Sequence, residues 1–169
     1  MARRVGSGQF VNRAGPVQDA MSDVTHLIAP LQVIETWFAI EPCIARLAAL
    51  HASARDLETI ENVLLQLEAA GSDPDHLTKF DSEFHLQLVR ASRSSLVLRL
   101  CQEINTVRTH AQWEQMKPSI LSPEEIASYN VQHRGIFDSL RQRDAQSASE
   151  LITRHLATAR QDLVGADSI

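Results

Sequence analysis

Between Pro42 and Pro74, and again beyond Pro123, no proline interrupts this chain, and its 169 residues hold only six glycines. Folds made of many short strands need such breakers at every turn, so their scarcity, with aromatics at 5%, argues against an all-β architecture. From Leu31 onward apolar residues recur at helical spacing instead. The first helix is expected over about 31–51, carrying Ile34, Trp37, Phe38, Ile44, Leu47 and Ala48, with a bend at Pro42. Ser53-Ala54-Arg55-Asp56 is a capping-box-like start for a second helix running to Gly71. Asp73-Pro74 opens a third over about 74–92, and a fourth begins at Ser94 or Ser95 and extends to about Met116. Ser122-Pro123-Glu124-Glu125 starts a fifth over about 123–142, and Asp144 caps a last helix that ends at Gly165. The expected fold is all-α, an antiparallel bundle of about six helices spanning residues 31–166.

The first residues differ from this body. Val5-Gly6-Ser7-Gly8-Gln9-Phe10-Val11 sets a Gly-Ser-Gly turn between β-prone flanks, the expected end of a hairpin within 1–16. A linker is expected over 17–30, after the break at Gly15-Pro16. Charge divides at the same place. Residues 1–13 hold Arg3, Arg4 and Arg13 and no acid, so the remaining residues set 13 basic side chains against 21 acidic ones, a charge of −8 within a total of −5. Nucleic-acid affinity is built largely on Lys and Arg against phosphates, so this body is not expected to bind DNA, and only the basic head could touch it. No apolar run approaches the ~20 residues that cross a bilayer, and nothing at the start reads as a signal peptide. Cys43 and Cys101 both fall in apolar helical patterns and read as buried thiols, which together place the chain in the cytoplasm.

Several polar residues sit where the core should be. In the third helix Asp81 and His85 share the stripe of Leu77, Phe80, Phe84, Leu88 and Val89, four residues apart and one above the other. In the fifth, Asn130 and His133 fall within the stripe of Ile126, Tyr129, Ile136, Phe137 and Leu140. In the sixth, His155 falls among Ala148, Leu151, Ile152, Leu156, Ala159 and Leu163. One such histidine needs only a backbone carbonyl, and Asp81 with His85 could be an ion pair. Three helices aiming imidazole or carboxylate inward admit a further reading, a shared divalent metal held by Asp81, His85, His133 and His155. That donor set suits Zn²⁺ first, and Ni²⁺ or another first-row ion as well, with positions open to water or a ligand oxygen. Arg108 also faces inward, either paired with a carboxylate such as Glu41 or placed for an anionic ligand.

Three segments carry a likeness beyond periodicity. They are Ile40-Glu41-Pro42-Cys43-Ile44-Ala45-Arg46-Leu47-Ala48-Ala49, Phe80-Asp81-Ser82-Glu83-Phe84-His85 with Ala91-Ser92, and His133-Arg134-Gly135-Ile136-Phe137-Asp138-Ser139-Leu140 leading through Asp144 to His155-Leu156. From about Leu31 to Gly165 the chain thereby resembles the effector-binding (FCD) domain of FadR-type regulators in the GntR family. The resemblance implies that Asp81, His85, His133 and His155 are metal ligands. It also implies that Arg3-Arg4 and the turn after them are a remnant of a winged helix-turn-helix wing, whose recognition helix would precede this chain. Members often carry an arginine four residues before the Glu41 position, where it clamps an effector carboxylate; here that residue is Trp37, which suits a larger or more aromatic effector. A small-residue–Asn pair usual after Ala91-Ser92 is Arg93-Ser94 here.

The expected function is therefore a metal-dependent sensor, the effector module of a GntR/FadR-type transcriptional regulator acting as a homodimer. Its effector is a small organic acid touched by Arg108, Asn130, Trp37 and Glu41, and its DNA contacts belong to a winged-helix part. Two alternatives stand beside it: a His₃Asp metal enzyme, and a structural dimer without metal. No Glu-x-x-His motif supports a di-iron site.

Overall fold

The computed structural model describes residues 28–69, 71, 73–107 and 121–166. Among these residues there are six helices and no strand: α1 (Pro30–His51), α2 (Ala54–Glu68), α3 (Pro74–Ala91), α4 (Ser95–Val107), α5 (Pro123–Arg141) and α6 (Ala145–Ala166). The hairpin, most of the linker, and the expected continuation of α4 to Met116 lie outside the described residues, as do Arg3, Arg4 and Arg108.

Helix starts follow local chemistry. Pro30 opens α1 at a position whose N–H has no intrahelical partner, and Gln32 Oε1 accepts from the Ala29 N–H at 3.0 Å. At α2 the Ser53 hydroxyl accepts from Asp56 N at 3.2 Å while Asp56 Oδ2 accepts from Ser53 N at 2.7 Å, a reciprocal capping box. Ser122 and Glu125 repeat the device at α5, at 3.3 and 2.7 Å, with Pro123 behind the cap. Asp73 caps α3 and Asp144 caps α6. α2 stops at Glu68, short of Gly71, and α1 is helical straight through Pro42.

Short connections fold neighbouring helices onto each other, and α1, the first, packs most closely against α6, the last. α1 also meets α3 and α5, so one helix borders all three that carry the polar core residues. Elsewhere the interior is apolar: Ile60, Leu64 and Leu67 of α2 are fully covered, with Phe84, Leu88, Ile136, Leu140 and Ile152. Each such side chain contributes about 1.5–3 kcal/mol by leaving water. Two turns place arginines at positive φ, Arg93 at 64° and Arg143 at 61°, each at a cost of about 1–2 kcal/mol. Both then reach a neighbouring helix end: Arg93 pairs with Asp56 at the start of α2, and Arg143 Nη1 donates to the Ala49 carbonyl at 3.1 Å.

Three expectations of burial are corrected. Cys43 is exposed, and only Cys101 is a buried thiol. Phe38 and Leu47 are each 37% exposed, so both lie off the core face. The inward positions of α1 are Val33, Ile34, Trp37, Glu41, Ile44, Ala45, Ala48 and Ala49, a broad apolar face that includes one acid.

Candidate metal centre and ligand cavity

Asp81 and His85 project from α3, His133 from α5 and His155 from α6, and one ligand atom from each lies within 4.8 Å of the other three. The imidazole centroids stand 5.7 Å (His85–His133), 5.2 Å (His85–His155) and 4.5 Å (His133–His155) apart. The three histidines are buried and Asp81 is partly so. An ion with ligand bonds of about 2.1 Å keeps its ligand atoms within about 4.2 Å of one another, so sub-ångström shifts close these four side chains on it.

The hydrogen-bond pattern fixes which nitrogens face inward. His85 donates from Nδ1 to Glu41 Oε1, which leaves Nε2 on the cluster side, 3.5 Å from Asp81 Oδ1. His155 Nδ1 donates to Gln132 Oε1 at 3.0 Å, leaving its Nε2 likewise. A partner on the far nitrogen is the arrangement that orients metal-ligating imidazoles and raises their basicity. His133 has no such partner. Both of its ring nitrogens are buried without a hydrogen bond, and Nε2 approaches Asp81 Oδ1 to 3.2 Å out of hydrogen-bonding alignment. A fully covered imidazole whose Nδ1 lacks a partner and whose Nε2 meets only the Asp81 carboxylate is incompletely satisfied, and a metal bond at Nε2 would improve on that contact.

Electrostatics favour a cation at the same point. Burial opposes charge on His85, but the carboxylates of Glu41 and Asp81 outweigh it and push the imidazole from 6.5 up to about 10. Burial holds His133 below 6.5, against the pull of Asp81. The site thus prefers one positive charge among two carboxylates. The donor set, the orphaned nitrogens of His133 and this preference all fit a divalent first-row ion.

Beside the cluster lies a cavity of about 80 Å³, into which Asp81, His85 and His155 face while His133 closes the site from behind. Its walls are mainly apolar, with Val33 and Ile34 of α1, Leu77 of α3, and Leu156 and Leu163 of α6. Trp37 and Glu41 also line it, one helical turn apart. Tyr129 completes the wall, its hydroxyl donating to Asp162 Oδ2 at 2.6 Å; burial and that carboxylate both raise its pKa.

All four sequence-predicted ligands therefore converge. Of the expected effector contacts, Trp37 and Glu41 line the cavity, whereas Asn130 does not; its Oδ1 is buried without a partner elsewhere in α5. The partner of Glu41 is His85, 44 residues away in sequence. Sequence reading missed this pairing and missed Gln132, and it placed Tyr129 on the inward stripe without giving it a part in the site. The stepping of α1 could have revealed Glu41 as an inward residue; nothing marked Gln132.

Residues 32–158 match the FCD domain family. The Uxu operon regulator of Haemophilus influenzae is 22% identical over 160 residues, which cover 94% of this chain and 60% of that protein. The HTH-type transcriptional regulator LutR of Bacillus subtilis is 24% identical over 135 residues, covering 79% and 62%. Among solved structures, E. coli McbR/YncC superposes with a TM-score of 0.71 at 15% identity, covering 89% of this chain and 79% of that one. A Streptococcus agalactiae GntR gives 0.63 at 23%, covering 83% and 60%. Such identities show a common fold. The chain spans about three fifths of the length of the curated relatives it matches.

Proposed function

The chain belongs to the FCD-domain family of GntR-type regulators, and from that premise we propose that it senses a small organic acid at a metal centre and controls the DNA binding of a transcriptional regulator. The observation that carries this reading is the convergence of four ligand atoms from three helices at the edge of an apolar cavity. Asp81, His85, His133 and His155 hold the ion, zinc first by the chemistry of the donors, while Glu41 and Gln132 orient two of the imidazoles. The ion supplies positive charge and open positions for a carboxylate or hydroxyl oxygen. The cavity beside the cluster has a volume of about 80 Å³. That size favours a small acid over the larger or aromatic effector that Trp37 suggested.

The relatives described above are named as regulators, which does not favour an enzyme. An acidic body leaves DNA reading to a winged-helix part, with this bundle as the sensing and pairing half of a homodimer. Helices α1, α3, α5 and α6 all border the site, so a bound acid that draws them together favours one arrangement of the bundle over another. Chelation followed by reconstitution tests the reading. The melting temperature should fall on chelation, recover with Zn²⁺ or Ni²⁺, and rise again when an organic acid is added to the metal-loaded chain but not to the chelated one. A melt unmoved by all three would refute it.

A further inference from the structure

The four side chains of the metal cluster come from α3, α5 and α6, and α1 supplies none of them. It nevertheless reaches one of them through two side chains. Glu41 Oε1 accepts from His85 Nδ1, and the Trp37 indole, one turn earlier, sets its ring centroid 6.1 Å from the same imidazole. Glu41 is fully covered. A carboxylate at that depth is costly unless it is bonded, so the bond to His85 is what makes an acid tolerable on the inner face of α1.

The helix changes character at the next residue. Pro42 has no N–H for the Phe38 carbonyl, and its ring crowds that carbonyl, so α1 is weakest there although it runs on unbroken. After this joint, Ile44, Ala45, Ala48 and Ala49 are at most 2% exposed and all belong to the main core. Before it, Val33, Ile34, Trp37 and Glu41 border the cavity, and Ile34 joins Leu163 in a small cluster apart from that core. The half-helix before Pro42 is therefore held less firmly by packing, and the bond from Glu41 to His85 falls at its last residue, against the joint.

A bond on the far nitrogen orients an imidazole for a metal and is worth about 10–100-fold in metal affinity. Linkage makes such an effect reciprocal: whatever factor the bond from α1 adds to zinc affinity, zinc on Nε2 returns to the attachment of α1. Resting on the metal centre proposed above, we infer that Glu41 is a positioning residue that ties α1 to the ion through His85, so that zinc occupancy holds the half-helix before Pro42 against the bundle. A helix that contributes no ligand then reports whether the site is filled.

Zinc affinity by competition with a chromophoric chelator, and amide hydrogen exchange read by mass spectrometry, test this in the 169-residue chain. In the wild type, zinc should slow exchange across 31–41 as well as in α3, α5 and α6, and slow 43–50 much less. Glu41→Leu keeps bulk but removes both oxygens; it should bind zinc about 10–100-fold more weakly, and at saturating zinc 31–41 should exchange as in the metal-free chain. Glu41→Gln retains an acceptor for the His85 Nδ1–H and should recover most of the affinity and of the protection. Zinc that leaves 31–41 unchanged or slows both halves of α1 alike, a Glu41→Leu chain that binds zinc as tightly as wild type, or a Glu41→Gln chain no better than Glu41→Leu would overturn the assignment with the metal centre still standing. A wild-type chain that binds no zinc would overturn the metal centre as well.

Discussion

Two neighbouring regions of this bundle are built on the same helical period and come out opposite. Around α2 the inward positions, Ile60, Leu64 and Leu67, are apolar and fully covered, and burial alone accounts for them. Around α1, α3, α5 and α6 the same spacing delivers Glu41, Asp81, His85, His133 and His155 inward, and two nitrogens of His133 remain without a hydrogen bond. The first region is arranged to fold. The second costs folding energy and makes sense once a cation shares its donors, so stability in the two regions should respond to different variables.

The largest effect should come from the apolar region. Leu64→Ala removes a fully buried side chain from a helix that supplies no ligand, and should cost about 2–5 kcal/mol in chemical denaturation, the same with or without zinc. A zinc-dependent penalty there would break the comparison. His133→Ala should do the reverse. It removes an unsatisfied imidazole, so the chelated protein should be little destabilised, but the stabilisation by zinc, about 3 kcal/mol at a hundredfold excess over the dissociation constant, should vanish. Loss of stability in chelated and loaded protein alike would make His133 an ordinary core residue.

A smaller effect distinguishes both from the helix caps. Burial pushes Asp56 upward, but hydrogen bonds from Ser53, with the charge of Arg93, hold its carboxyl below 3.8. A depressed folded value means that this contribution is present above 3.8 and is lost as pH falls through the folded value. Asp56→Ala should cost about 1 kcal/mol at neutral pH, insensitive to zinc, and the difference from wild type should close on acidification. Denaturation midpoints at pH 7 and pH 3 check the sign.

Much of the fold was legible because helix starts are written locally. Ser53 with Asp56, Asp73-Pro74, Ser122 with Glu125, and Asp144 each satisfy backbone donors within three residues, and each helix begins where its cap stands. The convergence of Asp81, His85, His133 and His155 was legible for a similar reason, since a polar residue at a core position is conspicuous in a periodic stripe. What escaped was rotation and long-range pairing. Cys43 lies beside inward-facing Ile44 but one helical step of about 100° away, enough to put it in solvent. Glu41 was read as an effector contact because no local pattern tells an acid bonded across helices from one awaiting a ligand. Gln132, next to His133, supports His155 of a different helix, a relation that exists only after α5 and α6 have packed.

The metal centre is the claim on which the rest depends, and elemental analysis of the purified, untagged chain after dialysis against zinc tests it directly. One zinc ion per chain in the wild type, with near-complete loss in both Asp81→Ala and His133→Ala while their helical content is retained, is the predicted result. Wild-type protein that retains no zinc, or variants that retain as much as the wild type, would contradict it.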